Sequence, residues 1–335
     1  MTEVDQQRGG VGIIGLGKFI PTRGLDNAEI EAQAGIEPGT IEKQTGITRR
    51  FLVDEGGSAT EIAVAASRQA LDSAGVDPKQ IGLVLGCTFT PDYVFPALAC
   101  DVHRALGTTS AGAFDLMANC TAFQVGAMVA SDRMLADPTL EHALVIGTAI
   151  VSRHIRWDDP NSAIYFGDGA GAAVLGRVPP GYGFLAHEVS SQTRAYESVR
   201  LRRGANENGE RRAIEMNGMD VWKQVAQHQP GSVRRAVEKA GLTLRDVDFY
   251  IFHQANLHLI TYLMSRLGAR PERTYTNVER IGNTAEASIP IALTEAVEQK
   301  KIAHGDVIVL SGVGAGFTFG ASVLRWYDPQ VTESE

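Results

Sequence analysis

Three side chains that can do chemistry stand in unusual contexts: Cys120 in Asp-Leu-Met-Ala-Asn-Cys-Thr-Ala-Phe, His253 in Phe-His-Gln-Ala-Asn, and Asn283 in Glu-Arg-Ile-Gly-Asn-Thr. A thiol can hold an acyl group while an imidazole and a carboxamide hydrogen-bond a carbonyl, so the set points to cysteine-dependent acyl transfer. Gly112-Ala-Phe-Asp-Leu reads as a strand end, and Thr121-Ala-Phe-Gln-Val-Gly-Ala-Met-Val-Ala reads as a helix rich in small residues. Cys120 therefore lies by a helix N-terminus, where the dipole and free N–H groups favour a thiolate. His253 ends the apolar run Asp248-Phe-Tyr-Ile-Phe, and the polar Gln254 and Asn256 follow it, a setting that suits a cleft at the end of a buried strand. Asn283 precedes Ala285-Glu-Ala-Ser-Ile-Pro, which reads as a loop entering a helix. Taken singly, each has a plainer reading: a structural cysteine, a satisfied core histidine, a turn asparagine. Cys87 and Cys100 are read as buried small hydrophobes.

The elements that must position these groups repeat. Ala70-Leu-Asp-Ser-Ala-Gly-Val precedes the strand-like Ile81-Gly-Leu-Val-Leu, and Ala236-Val-Glu-Lys-Ala-Gly-Leu precedes Val247-Asp-Phe-Tyr-Ile. Ala70 and Ala236 are 166 positions apart, as are Ile81 and Val247. Each copy is an amphipathic helix stopped by a glycine, Gly75 or Gly241, followed by a buried strand. A second echo links Gly171-Ala-Ala-Val-Leu to Gly320-Ala-Ser-Val-Leu. Apolar strands alternate with helical patterns in both halves, which predicts α/β layers with buried sheets. The seam is placed at Pro179-Pro-Gly-Tyr-Gly, so residues 1–178 form a half carrying the cysteine and residues 179–335 a half carrying the histidine and asparagine, packed as one body.

Composition narrows the classes. With 335 residues and 44% hydrophobic content the chain can build a large core, and its 3 cysteines form neither a CxxC pair nor a metal-ligand pattern. The expectation is a reduced, cytoplasmic protein with neither a metal nor a redox cofactor. A net charge of −8 gives no general attraction to nucleic acid or anionic membranes. The N-terminal ten residues lack a signal-peptide plan, and no apolar run reaches the length of a membrane span. The polar stretch Arg200 to Arg212, centred on Asn206-Glu-Asn-Gly-Glu, reads as an exposed loop.

Gly10-Val-Gly-Ile-Ile-Gly matches a dinucleotide fingerprint in letters only, since its glycines lie within the first apolar run and do not follow it. Gly167-Asp-Gly-Ala-Gly leads into a strand and is read, like the first, as close backbone packing or a tight turn. The order Cys, His, Asn, with 133 positions from Cys120 to His253, is also that of papain-like proteases, yet the local signature of their cysteine is missing.

The chain resembles the β-ketoacyl-acyl-carrier-protein synthase III enzymes of the thiolase superfamily over nearly its whole length. The motifs are Thr45-Gly-Ile-Thr-Arg-Arg, the Cys120 segment, Phe166-Gly-Asp-Gly-Ala-Gly-Ala, Met216-Asn-Gly, His253-Gln-Ala-Asn, Glu279-Arg-Ile-Gly-Asn-Thr with Ser288-Ile-Pro, and Gly312-Val-Gly-Ala-Gly-Phe-Thr-Phe-Gly. The resemblance implies a thiolase fold, two duplicated halves in five α-β-α-β-α layers. It implies an acyl-enzyme on Cys120 and a decarboxylative Claisen condensation with a malonyl-type thioester whose carbonyl is bound by His253 and Asn283. It further implies an oxyanion hole from the backbone N–H groups of Cys120 and Ala315, and substrate contacts from Trp222, Asn256 and Phe317. Phe95, before Pro96, would enter the acyl pocket of the partner in a homodimer. Coenzyme A or acyl-carrier-protein thioesters would be substrates, with no bound cofactor. The chain departs from the family's usual pattern at Thr40 in place of a Trp, at Asp158-Asp-Pro-Asn-Ser in place of an Arg-bearing segment, and at His258 in place of an Arg. These departures suggest a specialised member serving polyketide or fatty-acid-like secondary metabolism, the alternative being acyl transfer to an alcohol or amine.

Overall fold

Strands that are apolar on both faces must be covered on both faces, and the arrangement follows from that demand. The computed structural model describes residues 9–204, 207, 209, 212–329 and 331; most of the 206–210 stretch read as a loop, and the tail at residues 1–8, lie outside the described residues. The first half contains β1 (Gly10–Phe19), β2 (Arg23–Asp26), β3 (Arg49–Leu52), β4 (Ile81–Cys87), β5 (Gly112–Leu116), β6 (His142–Ala149) and β7 (Gly169–Val178). Its helices are α1 (Asn27–Ala34), α2 (Thr40–Thr45), α3 (Ala59–Ala74), α4 (Leu98–Leu106) and α5 (Ala122–Ala136). The second half contains β8 (Gly183–Ser191), β9 (Val199–Arg200), β10 (Glu215–Met216), β11 (Phe249–Phe252), β12 (Val307–Gly314) and β13 (Thr318–Arg325). Its helices are α6 (Gly218–Lys239), α7 (Leu257–Leu267), α8 (Val278–Ile281) and α9 (Ser288–Glu298).

The sheets run β1-β7-β6-β4-β5 and β8-β13-β12-β11. Their relation is a duplication, because β4 is parallel to β6 as β11 is to β12, while β7 and β13 each run antiparallel to both neighbours. β5 extends the first sheet by one parallel edge strand. The echoed glycines do the same work in both halves: Gly75 ends α3 at φ 64° and Gly241 follows α6 at φ 73°. At its other end α3 is fixed by a capping box between Ser58 and Glu61.

Three apolar clusters define five layers. On the outer face of the first sheet, Ile62, Ala66 and Ala70 of α3 meet Val84, Leu144 and Val174. Between the sheets, Phe123 and Met134 of α5 and Ile289 and Leu293 of α9 fill the space from Leu85 and Val145 to Ile251 and Leu310. Val233 and Val237 of α6 and Leu263 of α7 cover the far side, over Tyr250, Phe252 and Val309. Helix α9 is buried without a break from Ser288 to Ala296, as a helix between two sheets must be. Each of its large aliphatic side chains removes enough apolar surface to contribute about 2 kcal/mol. Among the described residues no helix is long and apolar enough to cross a membrane.

The glycines that imitate a nucleotide motif lie inside β1, where Gly10 and Gly12 lie against Val178 and residues 182–183 and Gly15 lets α3 approach. A Cβ on Gly15 would stand 2.4 Å from the Ala70 carbonyl oxygen and 2.5 Å from the Ala74 Cβ. Gly15→Ala is therefore expected to cost about 3 kcal/mol in urea unfolding through overpacking. Gly75→Ala, which meets open space but keeps a left-handed φ, should cost about 1 kcal/mol.

Candidate active site

Cys120 sits in a single tight turn, Asn119–Thr121, between β5 and α5. Asn119 takes φ 49°, a conformation its short polar side chain tolerates, and its Nδ2 donates to the Ala315 carbonyl at 2.9 Å. The turn lies against the second-half sheet because glycines leave room for it. A Cβ on Gly314 would come within 2.0 Å of the Ala118 carbonyl oxygen, and one on Gly312 within 2.9 Å of Thr121 Oγ1. A first-half cysteine is thus seated on second-half strands, beside Ala315.

Cys120 retains some exposure, but its thiol is desolvated. Burial pushes the thiol well above its usual range and the carboxyl of Glu286 pushes further, against a smaller opposing effect of the residue's own backbone N–H. The thiolate expected at a helix N-terminus is corrected on this point. Desolvation and a neighbouring carboxyl outweigh the dipole, and the resting group is a thiol.

His253 follows β11 and continues its pairing, with its N–H donating to the Ser311 carbonyl of β12 at 2.8 Å. Its ring is buried, and Nδ1 lies 2.6 Å from Ser288 Oγ at the start of α9. Ser288 Oγ also accepts from the Gln254 N–H at 3.3 Å, and its own proton can be given to Nδ1. That arrangement leaves the ring proton on Nε2. Burial lowers the imidazole to about 4, so it is neutral at pH 7. A neutral ring with an Nε2–H is a donor to an uncharged carbonyl.

Asn283 is held by its backbone, which accepts from the Gly167 N–H at 3.0 Å and donates to the Tyr165 carbonyl at 2.9 Å. Its Oδ1 accepts from the Ala285 N–H at 2.9 Å, which fixes the carboxamide so that Nδ2 is the group left to donate to a ligand. The Ala285–Ala287 turn that follows packs on the Cys120 turn, and Ser288 next in sequence binds His253. One short segment, 283–288, thereby joins all three sequence-predicted groups. Distant motifs converge behind it: the Thr48 N–H donates to the Glu279 carbonyl at 2.8 Å, and a Cβ on Gly282 would touch Arg50 Cβ at 3.0 Å.

The other expected residues divide. Trp222 on α6 is half-buried and pairs with Tyr262 of α7 at 5.7 Å between ring centres. The side chain of Asn256 caps α7, its Oδ1 accepting from the Leu259 N–H at 2.8 Å. Phe317 lies in the core, stacked on Phe319, and its backbone exchanges two hydrogen bonds with Gln192. Phe95 is 84% exposed and stands clear of the cysteine's own apolar surroundings. Thr40 opens α2 half-buried, and His258 donates from Nε2 to the Lys43 carbonyl of the same helix at 3.0 Å. A groove lined by Arg23, Asp92, Arg104, Arg153 and Trp157 contains none of the three groups. Sequence reasoning missed Asn119, Ser288 and Glu286. For Glu286 a signal existed, because one acidic residue interrupts the apolar and small run Ala285-Glu-Ala-Ser-Ile-Pro.

A duplicated five-layer fold that brings a thiol, a neutral imidazole and an oriented carboxamide to one turn defines the thiolase-fold condensing enzymes. Residues 114–193 match the family model for 3-oxoacyl-[acyl-carrier-protein (ACP)] synthase III, and residues 237–326 match that for its C terminal. The chain belongs to the 3-oxoacyl-acyl-carrier-protein synthase III family. It is similar to the β-ketoacyl-acyl-carrier-protein synthase III of Bacillus pumilus, 39% identical over 94% of this chain and 98% of that protein. Among solved structures, the 3-oxoacyl-acyl-carrier-protein synthase III of Aquifex aeolicus superposes with a TM-score of 0.88 at 32% identity, covering 95% of this chain and 100% of that one. The priming β-ketosynthase of the R1128 polyketide pathway superposes at 0.91 with 31% identity, covering 96% and 98%.

The state of His253 can be read from stability. Its folded value lies below that of the unfolded chain, so the unfolded chain binds the extra proton first and stability is lost as pH falls from about 6.5 toward about 4. Urea unfolding of wild type should lose about 3 kcal/mol across that window from this group. His253→Gln should lack that part of the loss.

Proposed function

We propose that the chain forms an acyl-enzyme on Cys120 and condenses it with a malonyl-type thioester, priming a specialised polyketide or fatty-acid-like product. The observation that carries this reading is the placement of Asn283 on, and of His253 hydrogen-bonded to, the segment 283–288 that packs against the cysteine turn, with His253 Nε2 and Asn283 Nδ2 left to donate. Cys120 sulfur attacks the donor thioester carbonyl, the donor's carbon–sulfur bond breaks, and the thiol proton leaves with the departing thiol. The malonyl carboxylate then departs as carbon dioxide and its electron pair enters the enolate, whose oxygen the two donors hold. The enolate carbon attacks the acyl-enzyme, and the N–H groups of Cys120 and Ala315 hold the tetrahedral oxyanion until the cysteine is expelled. No proton has to be abstracted in the condensing step, which suits a histidine that stays neutral.

Three departures at the entrance support the specialised reading. Thr40 offers no ring for an adenine, residues 158–162 offer no arginine, and His258 is engaged with α2. Acyl delivery by a carrier protein fits such an entrance better than delivery by coenzyme A, with Trp222 and Lys223 beside the pantetheine path. The protein would act as a homodimer in the cytoplasm. Edge strand β5 carries exposed Phe114, with exposed Met117 just after it and the exposed run Tyr93 to Phe95 as further apolar surface, a combination that calls for a partner and would deliver Phe95 in trans.

Incubation with a panel of acyl-carrier and acyl-CoA thioesters should leave an acyl mass on the intact protein that is lost in Cys120→Ala; a panel that leaves none overturns the acyl-enzyme. Added malonyl thioester should release carbon dioxide, with His253→Ala slowing condensation by roughly 100-fold or more. Product without carbon dioxide would instead identify acyl transfer to an alcohol or amine. In sedimentation, wild type should run as a dimer and Phe114→Asp as a monomer.

A further inference from the structure

Among the described residues, Glu286 is the one buried acid packed at the cysteine turn that the proposed reaction leaves without a task. Its side chain is fully buried in the Ala285–Ala287 turn. Oε1 accepts from the Phe89 N–H at 2.7 Å, Oε2 is buried without a hydrogen-bond partner, and no ion pair reaches it among the described residues. The backbone offers no escape, since Gly147 packs so closely that a Cβ there would stand 2.2 Å from the Glu286 carbonyl oxygen. A carboxylate in such a place is costly to ionise. Burial accordingly pushes Glu286 up to about 8, against smaller opposing influences of its own backbone, the Phe89 N–H and the Thr88 side chain.

Two thiols feel this carboxyl as their leading charged influence, Cys120 and Cys87. Cys87 is sealed beneath α5, where a Cβ on Gly126 would meet its sulfur at 2.6 Å, so only Cys120 has a reaction to be governed. The remaining titratable group at this corner is His253, neutral and tied to Ser288. The charged residues of the surrounding elements are His142 on β6, Arg177 on β7, Asp132 and Arg133 on α5, and Glu295 and Glu298 on α9. Asp92 follows Phe89 by three positions and Asp168 precedes β7 by one, and among the described residues no hydrogen bond or ion pair joins any of these groups to Glu286. No cation on those elements is placed to offset a charge on Glu286.

We propose that Glu286 is a positioning residue for the nucleophile: its carboxyl must carry a proton for Cys120 to reach its reactive thiolate form, so that Glu286 sets the alkaline limit of the reaction. The thiolate is the attacking species, and a second negative charge beside it in a desolvated site raises the cost of forming it. The same charge would oppose the oxyanion and the enolate. Glu286 acts through the thiol's field and not by touching the acyl group. The proposal deepens the reading of Cys120 as the acylated residue and rests on it.

The test needs no acyl donor. Alkylation of Cys120 by iodoacetamide is followed by peptide mass from about pH 6 to about pH 10 in wild type and Glu286→Gln, with Cys120→Ala as the blank. At the acid end the two rates should agree within about twofold, and at the alkaline end the variant should lead by roughly tenfold, the ratio one unit of thiol shift produces. A constant ratio across the range overturns the proposal and leaves the acyl-enzyme untouched, while a panel of donors that leaves no adduct sinks the acyl-enzyme and leaves this coupling standing. Thermal melting supplies a second readout. The folded carboxyl keeps its proton where the unfolded chain has lost it, so wild-type stability should fall as pH rises from the usual carboxylate range through about 8. Glu286→Gln should lack that fall, and equal pH slopes overturn the proposal. If the glutamine variant does not fold, Glu286→Ala, the residue type on either side, carries the same comparison. A chain that folds with neither shows a carboxyl needed for structure alone and also overturns it.

Discussion

The approach of the Cys120 turn to β12 and β13 is the contact on which the rest depends. Glycines at 312, 314 and 320 remove the side chains that would stand between them; a Cβ at Gly320 would fall 1.8 Å from Gln124 Oε1 on the helix that follows the cysteine. Because the cysteine belongs to one half and the glycines to the other, this contact welds the two sheets at the site. It also explains the order of layers. Helix α5 must run back between the sheets once its first turn is fixed against the second, and α9 fills the remaining space from the opposite side.

Seating the site between two sheets removes water from it, and the charge states follow from that. The thiol is held protonated, the imidazole neutral, and the buried acid beside them well above its ordinary range. A resting site without net charge is suited to a reaction whose charge appears only on the way to the transition state, where fixed N–H donors in a medium of low dielectric act strongly. The helix dipole contributes, but one partial charge at a terminus does not overcome full desolvation of a sulfur.

The duplicated architecture was legible in the sequence because its signals are local and repeated: a helix ended by Gly75 or Gly241 and then an apolar strand are patterns that neighbours alone produce. The cysteine, histidine and asparagine were legible for a related reason, since each closes or opens an element and interrupts its apolar pattern. What stayed hidden depends on the packing of segments far apart in the chain. The thiol state of Cys120 follows from burial between the two halves, with the carboxyl of Glu286, 166 positions away, as a further influence, and the ring of His253 meets Ser288, 35 positions away. Phe317, expected at the substrate, is equally well explained by its stack on Phe319. Asn256 shows the same ambiguity, because a capping asparagine and a binding asparagine share one sequence context.

The departures at Thr40 and His258 take their meaning from where they sit. Residues 119, 283, 288 and 315 are held by backbone hydrogen bonds, buried side chains or glycine contacts, so a change at any of them disturbs the fold together with the chemistry. Thr40 lies on α2 and His258 on α7 near the surface, the histidine held by one hydrogen bond to the Lys43 carbonyl, and either can change without moving a strand. Physical coupling therefore partitions the protein into a reaction centre that tolerates little variation and a rim that tolerates much. Glu286 falls on the inner side of that partition: it is buried, packed against Gly147 and hydrogen-bonded to Phe89, so a charge-bearing residue there is retained against its desolvation cost by a tightly fitted surround. On the proposed function, choice of thioester and timing of thiol reactivity thus have two separate places to reside in this chain, the rim and the buried acid.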